Sequence, residues 1–193
     1  MAKTETKDKI IMVGAEIVRK KGFNNTGIQE ILNEANVPKG SFYFYFKSKE
    51  DFGVELIKAY RSFFVMMMNK HFLVPDISGK QKLRNFFDDR LSVMKNDNFE
   101  GGCPIGNLSQ EMGDLNEAMR FELKTSLETM ANMIQKCIDE SKKTGEITTE
   151  KNSDLLAHYI LNSWEGALLR VKVDKNPEAL EQFDDFTFNY LLN

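Results

Sequence analysis

The sequence predicts an all-α protein of about nine helices. Apolar residues recur along most of the chain at intervals of three and four, which is the spacing of one helix face. No stretch shows the alternating pattern of a strand, and no internal repeat is present. Caps, glycines and prolines interrupt the periodicity and set the bounds. The predicted helices run over residues 6–21, 26–35, 39–46, 48–71, 78–95, 104–112, 115–144, 152–173 and 177–192.

Composition narrows the class of protein. The chain has 193 residues, of which 41% are hydrophobic and 28% charged, as in ordinary globular proteins. No apolar run approaches the roughly 20 residues that cross a bilayer, and the N-terminus lacks the apolar region of a signal peptide. Cys103 and Cys137 form neither a disulfide framework nor a paired metal motif. We therefore expect a cytoplasmic protein with no metal, no cofactor and no membrane partner.

Residues 22–51 hold the most informative pattern. Thr26 and Gln29 have the form of a capping box, so a helix is expected to begin at Thr26. Asn36 stands where the chain must reverse, because Asn tolerates a positive φ. Pro38 then suits the first turn of a second, two-turn helix. The apolar face of the first of these helices comprises Ile28, Ile31, Leu32 and Ala35.

The second short helix has an unusual outer face. Phe42 and Phe46 are i, i+4 partners for its core side. This arrangement leaves Lys39, Ser41, Phe44 and Tyr45 on the outside. A helix, a tight turn and a short helix with a basic, hydroxylated outer face are typical of a helix-turn-helix DNA-binding motif.

This stretch resembles the N-terminal domain of the TetR family of bacterial repressors. The matching positions are Gly22, Phe23, Thr26, Ile28, Ile31, Leu32, Ala35, Val37, Pro38, Lys39, Gly40, Tyr43, Tyr45, Phe46, Ser48, Lys49, Glu50 and Asp51. The chain departs from the family pattern at Gly27, where a second Thr is usual, at Asn36, where Gly is usual, and at Phe52, where Leu is usual. The departure at Gly27 puts one phosphate contact in doubt.

The resemblance implies which side chains meet DNA. Thr26, Tyr43, Tyr45 and Lys49 are assigned to phosphates. Nearest to base edges are Lys39, Gly40, Ser41 and Phe44. Phe44 either packs on thymine methyl groups or fills the core of the domain, and both interpretations stay open. The two tyrosines have the same core alternative, and Lys49 has the alternative of a solvated lysine at a helix end.

Charge and family pattern together suggest two domains. Residues 1–50 carry nine Lys or Arg against six Asp or Glu, whereas the rest of the chain is acidic. We expect a DNA-binding domain over residues 1–50 and a helical ligand-binding and dimerisation domain over residues 51–193. In the family the last two long helices form a four-helix dimer interface, which suits a palindromic operator. The alternative is that their apolar stripes are only intramolecular core.

The second domain offers two kinds of sensor. The family normally carries an inducer pocket there, and Met and aromatic side chains line adaptable pockets. The candidates are Phe63, Met67, Phe87, Met94 and Trp164. The segment that includes Cys103 and Asn107 resembles a Gly-Cys-x-x-Gly-Asn-Leu-x-x-Glu segment of a TetR subgroup, some of whose members sense electrophiles or oxidants. A cysteine just before a helix is favoured as a thiolate. The alternative is a small buried residue in a tight turn.

The leading hypothesis is a homodimeric transcriptional repressor and not an enzyme. It binds double-stranded DNA and is released by a small apolar ligand or by modification of Cys103. Within the class, the alternative is an activator or a regulator without a small-molecule effector. A helical thiol-dependent enzyme is the rival from another class, although His71 and His158 are the only histidine bases available to Cys103. A dimer that has lost DNA binding is the last alternative.

Overall fold

The computed structural model describes residues 3–193, with side chains described from residue 5 onward. This part of the chain forms nine α-helices, a terminal π-helical turn and no strand, so the all-α prediction is confirmed. The helices are α1 (Lys3–Lys21), α2 (Ile28–Glu34), α3 (Lys39–Tyr45), α4 (Lys49–Phe72), α5 (Gly79–Asn96), α6 (Pro104–Met112), α7 (Glu117–Lys143), α8 (Ser153–Asp174) and α9 (Glu178–Phe186). The π-helical turn is Thr187–Leu191.

Side chains cap the starts of α4, α5 and α8. Ser78 accepts a hydrogen bond from the backbone N–H of Gln81 at the start of α5. Asn152, which precedes α8, accepts one from Leu155. At the start of α4 the Ser48 hydroxyl accepts from the Asp51 N–H. Each of these bonds satisfies a backbone donor that has no partner within its helix.

One predicted cap is wrong. The α2 helix begins at Ile28 after Gly27, and no side chain caps it. The Thr26 hydroxyl instead donates to the carbonyl of Gly22 at 2.7 Å, and the Gln29 amide donates to Asn33. Thr26 is buried inside the turn between α1 and α2, so its side chain closes that turn rather than the helix start.

The end of the chain also differs from the prediction of one continuous helix. The helix α9 gives way to the π-helical turn, in which the N–H of Leu192 bonds the carbonyl of Thr187. Thr187, Phe188 and Leu192 are all buried. Residues five apart lie one above the other in a π-turn, which lets Thr187 and Leu192 share the buried side.

Two compact units make up the chain. One comprises Met1–Ser62 and Pro104–Ser126, and the other comprises Phe63–Cys103 and Leu127–Asn193. The helices α4 and α7 therefore contribute residues to both units. The functional boundary expected at residue 50 remains a prediction, since compactness alone does not assign function to either unit.

The first unit has an aromatic core beneath α3. Phe42, Phe46 and Phe52 are almost fully buried, and their ring centroids are 5.0 to 5.9 Å apart. Phe52 also lies against Gly14 of α1, where an added Cβ would come 2.4 Å from the ring. The Phe that replaces the family's usual Leu is thus accommodated by a glycine on the facing helix.

The second unit has its own aromatic core. Phe87 of α5, Trp164 of α8 and Phe183 of α9 pack mutually, with ring centroids 4.9 to 5.2 Å apart. Phe86 joins this cluster through Phe87 at 5.3 Å. No helix in the described part of the chain is long and apolar enough to span a membrane.

Candidate nucleic-acid interface and sensor segment

The turn between α2 and α3 has the predicted geometry. Asn36 has a φ of 50°, in the left-handed region, and the N–H of Val37 bonds back to the carbonyl of Leu32. Pro38 takes the position just before α3, with a φ of −60°. Asn thus replaces the family's usual Gly at the reversal without losing the turn, because its short side chain tolerates this conformation.

The α3 helix presents an aromatic and basic outer face. Phe42 and Phe46 are buried beneath it, whereas Tyr43 and Phe44 are 57% and 61% exposed. Lys39 and Gly40 are exposed, and Ser41 and Tyr45 are half-buried. The exposure of Phe44 removes the core alternative for that residue. The centroid of its ring lies 4.9 Å from that of Tyr45, edge to face, so the two rings support each other.

Gly40 leaves room for close approach. A Cβ built at this position would meet nothing within 4 Å. It lies in the first turn of α3, beside exposed Lys39. The N-terminal turn of this helix is therefore open to a bulky partner, as a helix that enters a groove requires.

Lys49 has internal partners that the sequence did not indicate. Its ammonium donates to the carbonyl of Asn24 at 3.2 Å and lies 4.8 Å above the ring of Phe23. Partial burial lowers the pKa of this lysine, and the nearby carboxylates of Glu50 and Glu111 oppose that shift. Lys49 thus supports the turn after α1, and its predicted phosphate contact stays a prediction. The same holds for Thr26, whose hydroxyl bonds within the turn.

Glu111 is a residue of this unit that sequence reasoning did not assign. Its carboxylate, near the end of α6, accepts the backbone N–H of Phe23 at 2.6 Å. Gly22 has a φ of 85°, and a Cβ there would come 2.4 Å from the same carboxylate. Glycine is therefore required at this position by both conformation and space. The only signal in the sequence was the position of Glu111 at the end of the Gly-Cys motif.

Cys103 precedes α6 directly, as predicted, but it is buried. Its thiol donates a hydrogen bond to the carboxylate of Glu165 on α8, and burial raises the pKa of that carboxyl group. Nothing in the sequence pointed to Glu165, which lies between Trp164 and Gly166 in the middle of a helix. The histidines considered as bases have other neighbours, since His71 contacts Asp89 and His158 lies near Glu128 and Asp154.

The predicted pocket residues are only partly brought together. Phe87 and Trp164 are in ring contact and buried, and Met94 is also buried. Met67 accepts a hydrogen bond from Arg90 through its sulfur at 3.0 Å. Phe63 is 53% exposed on α4. Asn107, on α6, belongs to the other compact unit. A small cavity of about 160 Å³ lies elsewhere in the second unit, against Phe72, Met133 and Cys137.

Two family models match separate parts of the chain. A family model described as "Bacterial regulatory proteins, tetR family" matches residues 10–56, which include α2 and α3. A second, described as "Tetracyclin repressor-like, C-terminal domain", matches residues 79–186. The exposed face of α3 and these matches define the class of protein: a DNA-binding transcriptional regulator of the helix-turn-helix type.

Similar whole proteins agree with that class. "Transcriptional regulator AcuR" of Cereibacter sphaeroides is 38% identical over 174 residues, which is 90% of this chain and 80% of the relative. "HTH-type transcriptional repressor DhaR" of a Mycobacterium species is 33% identical and covers 100% of this chain and 95% of the relative. The solved structure of "regulatory protein TetR from Rhodobacter sphaeroides" superposes with a TM-score of 0.88, 36% identity and coverage of 95% and 97%. The chain belongs to the TetR family of transcriptional regulators.

Proposed function

We propose that this protein is a homodimeric repressor that acts in the cytoplasm on a palindromic operator, and that an effector acting on its second unit releases it. The observation that carries the proposal is the outer face of α3. Two aromatic side chains and a lysine stand exposed there above a fully packed core. Tyr43 and Phe44 are each more than half exposed, although their rings contact those of Phe42 and Tyr45. An external partner is the best explanation for the exposed parts of these rings.

Each residue of the α3 face has a role in this proposal. Lys39 and Ser41 donate to base edges, and Gly40 lets the backbone approach the groove. Phe44 packs on thymine methyl groups. Tyr43 and Tyr45 donate their hydroxyls to phosphates on either side. Thr26 and Lys49 contribute mainly by holding the turn that positions α2, and any phosphate contact they make comes in addition.

The dimer proposal rests on the outer face of α8. The residues at positions 155, 159, 162, 166, 169 and 173 are all exposed and are spaced alternately four and three apart. This is the heptad spacing of a helix-helix seam. Leu155, Leu169 and Val173 are 56% to 76% exposed, and Gly166 has open space where a Cβ would stand. An isologous contact between two copies of α8 would cover this stripe.

The end of the chain continues the apolar surface. Phe186 and Tyr190 are 50% and 66% exposed, and their rings stack with centroids 6.0 Å apart. The other side of α8, which carries Ile160 and Trp164, is buried within the chain. The helix therefore has one apolar face for its own core and a second that is available to a partner copy.

The effector is proposed to act through Cys103 or through an apolar ligand among the aromatic residues of the second unit. Cys103 directly precedes α6, and α6 carries Glu111, which holds the turn after α1. Movement of α6 along its axis would therefore change the support of the helix-turn-helix motif. Such coupling requires two arrangements of α6 whose equilibrium the effector shifts.

The first test is fluorescence anisotropy with DNA from immediately upstream of the protein's own gene, with a shuffled duplex and a salt series. We expect specific binding that weakens steeply as salt rises. Lys39→Ala should weaken DNA binding. Lys142→Ala, on α7, is the control, because it removes one positive charge outside the helix-turn-helix motif. Equal affinity for operator and shuffled DNA at every salt concentration, from a folded protein, would overturn the proposal.

The dimer is tested separately by sedimentation of Gly166→Arg and Gly40→Arg, two glycines where an added Cβ has open space. Both substitutions add one exposed cation, but only the first lies on the α8 stripe. We expect a monomer from Gly166→Arg alone. A wild-type protein that sediments as a monomer at micromolar concentration would refute the dimer. The DNA-binding assay would then be the remaining test of the helix-turn-helix motif.

A further inference from the structure

The pairing of Cys103 with Glu165 is a chemical arrangement that DNA recognition does not use. Cys103 is 6% exposed, and its thiol donates a hydrogen bond to the Glu165 carboxylate. The Oε1 atom of Glu165 is also buried and has no hydrogen-bond partner among the described residues. A buried, unpaired carboxyl oxygen is costly in a folded protein and calls for an explanation.

The surroundings of Glu165 favour a proton acceptor. Burial raises the pKa of its carboxyl group above the ordinary value of 4.5, and the hydrogen bond from Cys103 only partly opposes this shift. A carboxylate with a raised pKa binds a proton more readily than a solvated one. A base becomes more effective as its pKa approaches the working pH.

We propose that Glu165 is the general base that takes the Cys103 proton when an α,β-unsaturated carbonyl compound alkylates this thiol. The inference rests on the proposed function, since it assigns a partner to the cysteine already suggested as a sensor. The existing hydrogen bond defines the path of the proton, and the unpaired Oε1 gives Glu165 a second oxygen from which to pass it on.

The step balances without any further reactant. The Cys103 sulfur forms a bond to the β-carbon, and the π electrons of the C=C bond move toward the α-carbon and the carbonyl oxygen. The thiol proton passes to Glu165 and from there to the α-carbon. The product is a neutral thioether, and Glu165 returns to its initial carboxylate state. No thiolate is left in the buried site, where its desolvation would be costly.

Cys137 is a natural contrast within the same unit. It is also buried, but burial together with the charge of Glu140 raises the pKa of its thiol to about 12. Glu140 acts there as a nearby negative charge, and its carboxylate is held by Lys82 at 2.8 and 3.0 Å. We therefore expect Cys103 to react and Cys137 to stay unmodified.

The experiment measures alkylation of Cys103 by acrylamide, a small neutral α,β-unsaturated amide. A Cys137→Ser background leaves Cys103 as the only cysteine. Intact-mass spectrometry gives the rate from pH 4 to pH 9 for this protein and for its Glu165→Gln variant. Asp154→Asn, a substitution at an exposed carboxylate of the same helix, is the matched control.

We expect Glu165→Gln to slow alkylation at pH 7 at least tenfold. The parent protein should also show a rise in rate, as Glu165 ionises, at a lower pH than the rise caused by thiol ionisation. That first rise should be absent from the Gln variant. An equal or faster rate in Glu165→Gln would overturn the proposal, because removal of the carboxylate would then only have eased thiolate formation.

Two further outcomes keep the test decisive. If Glu165→Gln does not fold, the pH profile of the parent decides, and a single rise at the pH of thiol ionisation refutes the base. An unreactive Cys103 in the folded parent also refutes it. The readout is the thiol adduct and involves no DNA. Unchanged DNA binding by the adduct would therefore count against the proposed release mechanism and leave the role of Glu165 intact.

Discussion

The two compact units differ in where they place charged side chains. Around α3, Lys39 and Phe44 stand at the surface above an apolar core. In the second unit charged groups lie inside, as with Lys82, which is 7% exposed and paired to Glu140. Surface chemistry can change without loss of the fold, whereas a buried charge belongs to the fold. Substitutions should therefore separate the units into one that governs DNA binding and one that governs stability.

The largest effect is expected from Gly79→Ala in the second unit. A Cβ at this position would come 1.9 Å from the backbone carbonyl oxygen of Cys137, so α5 and α7 would have to move apart. We expect a loss of about 3 kcal/mol or more in the free energy of unfolding. Urea denaturation measures it. Gly27→Ala, where a Cβ has open space, is the matched control, and equal stability of the two variants would contradict the packing argument.

Glu140→Gln should have the next largest effect. It leaves the Lys82 ammonium without its carboxylate in a site that is almost closed to solvent. Because Glu140 itself is 48% exposed, water compensates in part, and we expect a loss of about 1–2 kcal/mol. Replacement of both residues, as Lys82→Met with Glu140→Gln, should recover part of this loss. A double variant that is less stable than Glu140→Gln alone would show that the lysine stem, rather than its charge, matters.

Phe44→Ala should leave stability nearly unchanged but reduce sequence discrimination. The ring is exposed, so its removal creates no cavity. Loss of contact with thymine methyl groups should narrow the ratio of operator to shuffled affinity by roughly fivefold, or about 1 kcal/mol. Anisotropy titrations on both duplexes provide the ratio. An unchanged ratio would exclude the methyl contact and leave Phe44 a role only in holding Tyr45.

The smallest expected changes in the free energy of unfolding come from two carboxyl groups, one in each unit. Hydrogen bonds from Lys7 and then Lys58 lower the pKa of Glu55 below 4.5, whereas burial raises that of Glu165 above it. Glu55 therefore stabilises the fold above pH 4.5 and loses this effect as the pH falls through its lowered pKa. Glu165 binds its proton more tightly when folded, so its contribution to stability falls as the pH rises from 4.5 through its raised pKa.

Unfolding free energies from pH 3 to pH 8 test this contrast. Glu55→Gln should cost below about 1 kcal/mol at pH 7, since the ion pair is partly solvated, and should matter less as the pH falls. Glu165→Gln should gain stability relative to the wild type as the pH rises. If the stability change caused by each variant followed the pH in the same way, the surroundings of Glu55 and Glu165 would not shift their pKa values in opposite directions.

Much of the first unit was predictable because its signals are local. The capping Ser48, the reversal at Asn36 and the buried pair Phe42 and Phe46 each depend on neighbours within a few residues. The wrong prediction of a cap at Thr26 shows the limit of prediction from local sequence. A hydroxyl that fits a capping box fits a turn equally well, and only the packing of α1 against α2 decides between them.

The second unit was predicted as helices but not as a site. The sequence of α8 predicts one broad apolar surface. The three-dimensional packing divides this surface into a buried side, which carries Trp164, and an exposed stripe, which carries Leu169. The partners of Cys103 and Lys82 lie 62 and 58 positions away along the chain, at Glu165 and Glu140. No local pattern encodes such pairs.

By itself the sequence determined the helical fold, the helix-turn-helix motif and the family, because periodicity, caps and turn residues act over short distances along the chain. Only the tertiary structure decided that Phe44 is exposed, that Lys49 and Thr26 have partners within the turn, and that Glu111 and Glu165 contact Phe23 and Cys103. These outcomes depend on which helix faces meet. That choice is made by the burial of apolar area over the whole unit, which no short segment specifies.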